Sequence, residues 1–224
     1  EEQEKIRIKR QLTNNINHEL KTPVAAIRGY LETLLAHPEL SEKKRTEFLK
    51  NGYAQSERLQ RLLNDVSTVV RMDEGSVQTR KEPTSLNEFI EEIDTEMELR
   101  PQERQLRIHC DFPPHVEIEG NPSLIGSIFR NLADNASAYS GGSDIYIRLL
   151  EESEDEYRIS FADNGVGVGE EHLPHLFERF YRVDKGRSRK MGGTGLGLAI
   201  VKHAVLFHGG TISVHNRKEC AVKV

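Results

Sequence analysis

The first place this chain could do chemistry is the run Asn14-Asn15-Ile16-Asn17-His18-Glu19-Leu20-Lys21-Thr22-Pro23. A helix turns about 100° per residue. His18 stands two residues from both Ile16 and Leu20, so on a helix it points away from their apolar stripe. Thr22, four residues on, lies above it on the same wet face. An exposed imidazole beside a carboxylate is suited to nucleophilic attack, with Glu19 accepting the ring proton or fixing the tautomer. Pro23 removes a backbone donor and crowds the carbonyl of residue 19, so the helix is expected to bend there. Taken alone, such a pair is more often a solvated histidine next to an acid. A zinc reading fails on spacing, because the run lacks the second histidine of H-E-x-x-H.

Three later stretches could together hold a nucleotide. Asn131 and Asn135 sit four apart in Asn131-Leu132-Ala133-Asp134-Asn135-Ala136, so on a helix both amides share a face. An amide oxygen suits Mg²⁺, a hard ion that keeps several waters and bridges phosphates. By itself the pair also reads as helix-capping or solvated asparagines. Asp163-Asn164-Gly165-Val166-Gly167 puts an aspartate at a strand end, where it can accept from the exocyclic amine of adenine, with glycines that let backbone approach closely. Alone it is a turn signal. Gly192-Gly193-Thr194-Gly195-Leu196-Gly197-Leu198-Ala199 opens a helix whose N–H groups can hold phosphate oxygens. It is neither a Walker A loop nor a dinucleotide fingerprint, since its spacing is G-x-G-x-G and no strand leads into it.

The elements that must position these residues can be read from periodicity. Leu12, Ile16, Leu20, Val24, Ile27, Leu31 and Leu34 form a helical stripe that predicts one helix over about 5–36. His37-Pro38-Glu39 interrupts it, Ser41 is a candidate N-cap, and Leu59, Leu62, Val66 and Val69 predict a second helix over 42–72. An antiparallel hairpin of this kind leaves much of its apolar seam wet, and pairing two chains into a four-helix bundle would cover it. After Gly75 the pattern mixes helices and strands. Strands are expected at 77–81, 106–111, 116–119, 145–150, 157–162 and 211–214. Helices are expected from Pro83-Thr84-Ser85 to about 100, from Asn121-Pro122 to about 139, and over 194–207. The fold class is therefore α+β: a helical hairpin followed by an α/β sandwich, divided as residues 1–74 and 75–224.

Composition narrows the function classes. Lys+Arg number 31 against Asp+Glu 36, a formal net charge of -5, so no global basic field favours nucleic acid. The 2 cysteines, Cys110 and Cys220, have no metal-ligand spacing and cannot build a disulfide framework, which points to reduced thiols. No run approaches 18 apolar residues. The first residue is Glu1 rather than Met, already inside a helical pattern, and the expectation is a piece of a longer protein.

His18 to Pro23 matches at every position the H-box of sensor histidine kinases, H-E-[LF]-[KR]-T-P, and resembles it as a whole. The aromatic usual five or six residues upstream is Leu12 here, and the small residue before the histidine is Asn17. The three nucleotide stretches resemble the N, G1 and G2 boxes of the histidine kinase and gyrase-type ATPase superfamily. Phe177-Glu178-Arg179-Phe180-Tyr181-Arg182 resembles the F box between the last two. The resemblance covers nearly the whole chain from residue 10 onward.

The resemblance implies an ATP-dependent histidine autokinase that uses ATP and Mg²⁺ and passes its phosphoryl group to an aspartate of a response-regulator receiver domain. His18 is then the phosphoacceptor, Glu19 assists, and Thr22 positions water to dephosphorylate the regulator. Asn135 coordinates Mg²⁺, Asn131 supports the phosphates, Asp163 reads adenine and Tyr139 packs near the base. Gly165, Gly167, Gly193, Thr194, Gly195, Leu196 and Gly197 line the nucleotide, and residues 177–194 form a lid. Arg182 stabilises the γ-phosphoryl charge, joined by Lys185, Arg187, Arg189 and Lys190. The family often carries a lysine just before the position of Tyr139; here it is Ala138. Gyrase-type ATPases typically place a glutamate four residues before the magnesium asparagine, as base for water. Here that residue is Asn131, which favours a kinase with a histidine nucleophile. Residues 1–74 would make a homodimer. The chain would be the cytoplasmic portion of a bacterial protein anchored in the membrane through N-terminal segments absent from this sequence.

Overall fold

Helix α1 (Glu2–Ala36) and helix α2 (Glu42–Asp73) form because the apolar stripe and long straight-chain residues sustain helical register over many turns. The computed structural model describes residues 2–73, 80–153, 156–184 and 193–216. The chain divides into two compact units, one of Glu1–Gly75 with Asp184–Leu196, the other of Ser76–Val183 with Gly197–Val224.

In the hairpin unit α1 runs uninterrupted through Pro23, which is fully buried. An interior proline costs a helix about 3 kcal/mol. Burying one apolar side chain recovers about 1.5–3 kcal/mol, so packing holds the helix continuous there. Leu20, Ile27 and Leu34 are half-buried, and the α2 seam buries Leu62 and Val69. Arg58 is buried with them at 5% exposure. Near the turn the rings of Tyr30 and Phe48 lie 5.9 Å apart. Ser41 caps α2: its carbonyl accepts from Arg45 N at 3.0 Å and its Oγ from Lys44 N at 3.5 Å. Val24, Leu31, Leu35, Leu49, Tyr53, Leu63 and Val70 remain exposed on the hairpin.

The second unit opens with strand β1 (Glu82–Ser85), antiparallel to β3 (Glu117–Gly120). The helix expected from Pro83 begins instead after a strand, because Glu82–Ser85 finds ladder partners in Glu117–Gly120. Pro83 is tolerated in this ladder, which among the described residues has two strands, so that each has an edge. Of the strand expected at 77–81, Arg80 and Lys81 are not in one, and 77–79 lie outside the described residues. Ser85 caps α3 (Leu86–Glu98), accepting from Glu88 N, and α3 buries Leu86, Ile90, Ile93 and Met97 at helical spacing. A three-stranded sheet has the order β2 (Arg107–Asp111), β4 (Asp144–Glu152), β5 (Tyr157–Asp163), with β2 parallel to β4 and β5 antiparallel to it. Along β4 the burial alternates: Ile145 and Ile147 are 0% exposed while Tyr146 and Arg148 are half-buried. The inward face meets α3 and α4 (Pro122–Asn135), whose Ile125, Phe129 and Ala133 complete the core. Helix α5 (Gly197–Phe207) buries Ala199, Ile200, Val201 and Ala204. This is the expected mixed α/β sandwich after a helical hairpin.

Two further expectations shift. Residues 211–214 make no ladder among the described residues; just beyond them Asn216 Oδ1 accepts from Val168 N and its Nδ2 donates to Val168 O. Helix α5 starts at Gly197 rather than Thr194, because Gly195 takes a left-handed φ of 74° that no helix accommodates. Among the described residues no helix is long and apolar enough to cross a membrane.

Candidate functional site

On the hairpin unit the helical register turns His18 outward, and its side chain is 70% exposed. Glu19, one position round, is turned toward the seam at 14% exposure. Its Oε1 stands 4.0 Å from His18 Nδ1, and its Oε2 lies 3.3 Å from Nη2 of Arg58. The imidazole–carboxylate gap exceeds a hydrogen bond, and catalytic contacts are often this loose before substrate arrives. Thr22 Oγ1 donates to the His18 carbonyl at 3.3 Å, the back-bonding habit of a helical threonine. The ring points outward, as the spacing predicts.

Gly193–Leu196 belong with this same unit. Thr194 Oγ1 donates to Asp65 Oδ2 at 2.6 Å and accepts from Leu196 N at 3.2 Å. Leu196 is 0% exposed.

The sandwich unit gathers Asn131, Asn135, Tyr139, Asp163, Gly165, Gly167 and Gly197. Asn131 donates its Nδ2 to Ser127 O at 2.8 Å, which aims Oδ1 the other way. A Cβ built on Gly197 would come within 2.7 Å of that oxygen, so any other residue here would push the Asn131 amide aside. Asn135 ends α4 half-buried and leads into a single π-turn, Ala136–Ser140, which carries half-buried Tyr139 and is closed by Gly141 at φ 67°. Such turns within a helix recur at functional sites.

Asp163 ends β5, and its Oδ1 accepts from Gly165 N at 2.8 Å. Asn164 staples the loop to β4. Its Oδ1 accepts from the backbone of Ser143 (2.8 Å) and Asp144 (3.0 Å), and its Nδ2 donates to Asp144 Oδ2 at 3.1 Å. Asp144, 5% exposed, also accepts from the Ser143 hydroxyl, from His109 Nε2 at 2.7 Å and from Arg107 Nη2 at 3.2 Å. The Ser143 hydroxyl first, then the His109 ring, hold its carboxyl well below the usual carboxylate range, against the opposing effect of burial. Gly167 has φ 73° and faces Asn216 Oδ1. A fixed carboxylate thus stands at a strand end beside a glycine loop, which is bonded to the turn after α4 through Val166 N and Ser140 O at 2.9 Å.

Residues 8–75 match the family model described as His Kinase A (phospho-acceptor) domain. Residues 120–224 match that of the histidine kinase-, DNA gyrase B-, and HSP90-like ATPases. The chain belongs to the sensor histidine kinases. It is 35% identical over 208 residues to the phosphate regulon sensor protein PhoR of Pseudomonas aeruginosa, covering 92% of this chain and 47% of that one. It is 36% identical over 216 residues to the sensor protein kinase WalK of Staphylococcus aureus, covering 95% and 51%. The chain therefore spans about half the length of the curated relatives it matches. Among solved structures, the Acinetobacter baumannii histidine kinase AdeS resembles it in fold with a TM-score of 0.73 at 24% identity, covering 89% of this chain and 91% of that one.

Within this histidine kinase chain the ATP-binding domain family fits the residues found. Mg²⁺ takes hard oxygen ligands and keeps several waters, so one carboxamide oxygen such as that of Asn135 suits it when phosphates supply the rest. Ala138 lies half-buried in the π-turn. Arg182 is half-buried at the end of the F box, two residues after Phe180, whose φ of 65° is rare for a bulky side chain. Tyr181 Oη meets His172 Nδ1 at 2.7 Å. Lys185, Arg187, Arg189 and Lys190 lie outside the described residues. Arg58, Asn164, Asp144 and Asn216 escape a reading of motifs. Arg58 had one sequence signal: it stands four residues before Leu62, in the register of the seam.

Proposed function

We propose that this chain is the autokinase core of a two-component signalling protein. ATP binds the sandwich unit, and its γ-phosphoryl group is transferred to Nε2 of His18. The observation that carries the reading is the outward imidazole of His18 with Glu19 Oε1 4.0 Å from its Nδ1. In the transfer the Nε2 lone pair attacks phosphorus, the bond from phosphorus to the β-phosphate oxygen breaks, and ADP leaves. The Nδ1 proton passes to Glu19. Phosphoryl transfer needs positioning and charge neutralisation more than covalent help. Mg²⁺, when bound, neutralises phosphate charge, and Asn135 is the residue that would hold it. Asn131 supports the phosphates, Asp163 takes the adenine amine, Tyr139 packs against the base, and Arg182 faces the γ-phosphoryl charge.

The phosphorylated ring then donates to an aspartate of a receiver domain, and Thr22 serves the reverse dephosphorylation. Residues 1–74 form the dimerisation and phosphotransfer domain and 75–224 the catalytic domain. The exposed apolar residues of the hairpin support homodimerisation as a four-helix bundle. The kinase works on the cytoplasmic side of a membrane reached through segments outside this chain. The test is incubation with γ-labelled ATP. Acid-labile, alkali-stable label that disappears in His18→Gln supports the proposal, and ATP hydrolysis with no phosphoprotein refutes it.

A further inference from the structure

A charged side chain in an apolar helical seam needs a reason. Arg58 is 5% exposed on α2, in line with buried Leu62 and Val69. Its Nη2 lies 3.3 Å from Oε2 of Glu19, which is 39 residues away in sequence. Stability alone is a poor reason. A buried ion pair recovers little more than its desolvation cost, and apolar side chains of similar volume often serve a core as well or better.

The geometry divides the two oxygens of Glu19. Oε2 belongs to the guanidinium, and Oε1 is left on the side of His18 Nδ1, at 4.0 Å. We propose that Arg58 is a positioning residue for the phosphotransfer histidine: from the interior of the hairpin it locks the Glu19 carboxylate so that Oε1 faces Nδ1. This directs the ring proton to Nδ1 and leaves the Nε2 lone pair for phosphorus. As the Nε2–phosphorus bond forms and ADP departs, the Nδ1 proton moves to Oε1. Without Arg58, Oε2 loses this bond and the carboxylate can turn so that Oε1 no longer faces Nδ1. The inference rests on the proposed autokinase reaction and adds a residue to it.

The test uses the full chain and three variants: Arg58→Met, Arg58→Lys and Glu19→Gln, with the double variant Arg58→Met/Glu19→Gln. Arg58→Met leaves the Glu19 carboxylate, 14% exposed, without this partner, so it is expected to keep the helical signal at a lowered melting temperature. Its phosphorylation rate should fall about tenfold to a hundredfold, the loss expected for a displaced proton acceptor. The KM for ATP should stay unchanged, because the nucleotide residues are elsewhere. Arg58→Lys should recover part of the rate. In the Glu19→Gln background, Arg58→Met should cost little more, since the residue it acts through is already gone. Ring ¹⁵N shifts of His18 should show the Nδ1–H form depleted in Arg58→Met.

An undiminished rate in Arg58→Met, or the same fold-loss with and without Glu19, would overturn the role of Arg58. If Arg58→Met loses its fold, Arg58→Lys decides: a reduced rate at unchanged KM and melting temperature supports the role, and a full rate overturns it. Absence of label in the wild-type chain would instead overturn the autokinase reading itself.

Discussion

Gly165 is the position where one methyl group should do the most damage to nucleotide binding. A Cβ there would stand 2.3 Å from Ser140 O, 2.5 Å from Ser140 Cβ and 2.7 Å from Asp163 Oδ1. Ordinary contacts of a Cβ begin at 3.4 Å, and the two nearest obstacles, Ser140 O and Cβ, are fixed to the backbone and cannot swing away. Gly165→Ala must therefore move the loop, the Ser140 turn or the Asp163 carboxylate by about 1 Å. Two hydrogen bonds lie in the way: Gly165 N to Asp163 Oδ1 at 2.8 Å and Val166 N to Ser140 O at 2.9 Å. The bond to an ionised carboxylate contributes about 1.5–3 kcal/mol and the backbone bond about 0.5–1.5 kcal/mol. Losing or stretching both costs about 2–4 kcal/mol, which a domain of ordinary stability, about 5–15 kcal/mol, survives.

The functional cost follows from the displaced carboxylate. If Asp163 takes the adenine amine, misplacing it should weaken nucleotide binding about tenfold to a hundredfold, the equivalent of about 1.4–2.8 kcal/mol. The assay is calorimetric titration of wild type and Gly165→Ala with a non-hydrolysable ATP analogue, alongside thermal unfolding. A drop in both melting temperature and affinity is expected. Affinity within twofold of wild type would refute the packing argument if the melting temperature also holds. If only the melting temperature falls, the adenine role of Asp163 goes instead.

Three other outcomes are expected. Asp144→Asn removes a carboxylate that several donors share, so it should destabilise the sandwich unit at pH 7 by about 1.5–3 kcal/mol, the range for hydrogen bonds to a charged group. Because the folded-state pKa of Asp144 is depressed, its contribution is complete above the ordinary carboxylate range near ~4 and is lost as pH falls below it; unfolding series over that acid range should fall less steeply in Asp144→Asn than in wild type. Thr22→Ala gives up a hydrogen bond of 3.3 Å to the His18 carbonyl, so the stem should lose no more than about 0.5 kcal/mol; label incorporation should be unchanged while dephosphorylation of a phosphorylated receiver slows, and a normal dephosphorylation rate removes Thr22 from the mechanism. Ala138→Lys adds a cation beside the proposed phosphate site and should tighten ATP binding about threefold to tenfold in low salt, fading as salt rises; titration at two ionic strengths checks it, and unchanged affinity at both refutes it.

Much of the fold was legible wherever the governing interaction is local. Helices α1 and α2 announce themselves by an apolar repeat sustained over many turns, and Ser41 stops the gap between them because a cap bonds only to its own next residues. The outward aim of His18 needs nothing beyond helical spacing. The same holds for Asp163, which ends a strand just before glycines. Local signals failed where a distant partner overrode them. Glu82–Ser85 carries a proline and a cap, the marks of a helix start, and becomes a strand because Glu117–Gly120 offers it a ladder. Helix α5 starts late because Gly195 is held left-handed in a segment whose Thr194 bonds Asp65, 129 residues earlier.

The site divides along the same line. Residues that touch substrate must present particular atoms at particular spacings, so their types recur in order and can be read. Residues that hold them in place answer to partners across the fold. Asn164 looks like an ordinary turn residue until its amide is seen bonding Ser143 and Asp144 across the sheet. Arg58 is harder still, because periodicity arguments count apolar side chains and pass over a cation that occupies an apolar position. Its exposure of 5% and its bond to Glu19 appear only when two helices are brought together. A charge buried at a seam position is therefore worth testing for what it aims, since hydrophobic burial alone would have selected a different side chain there.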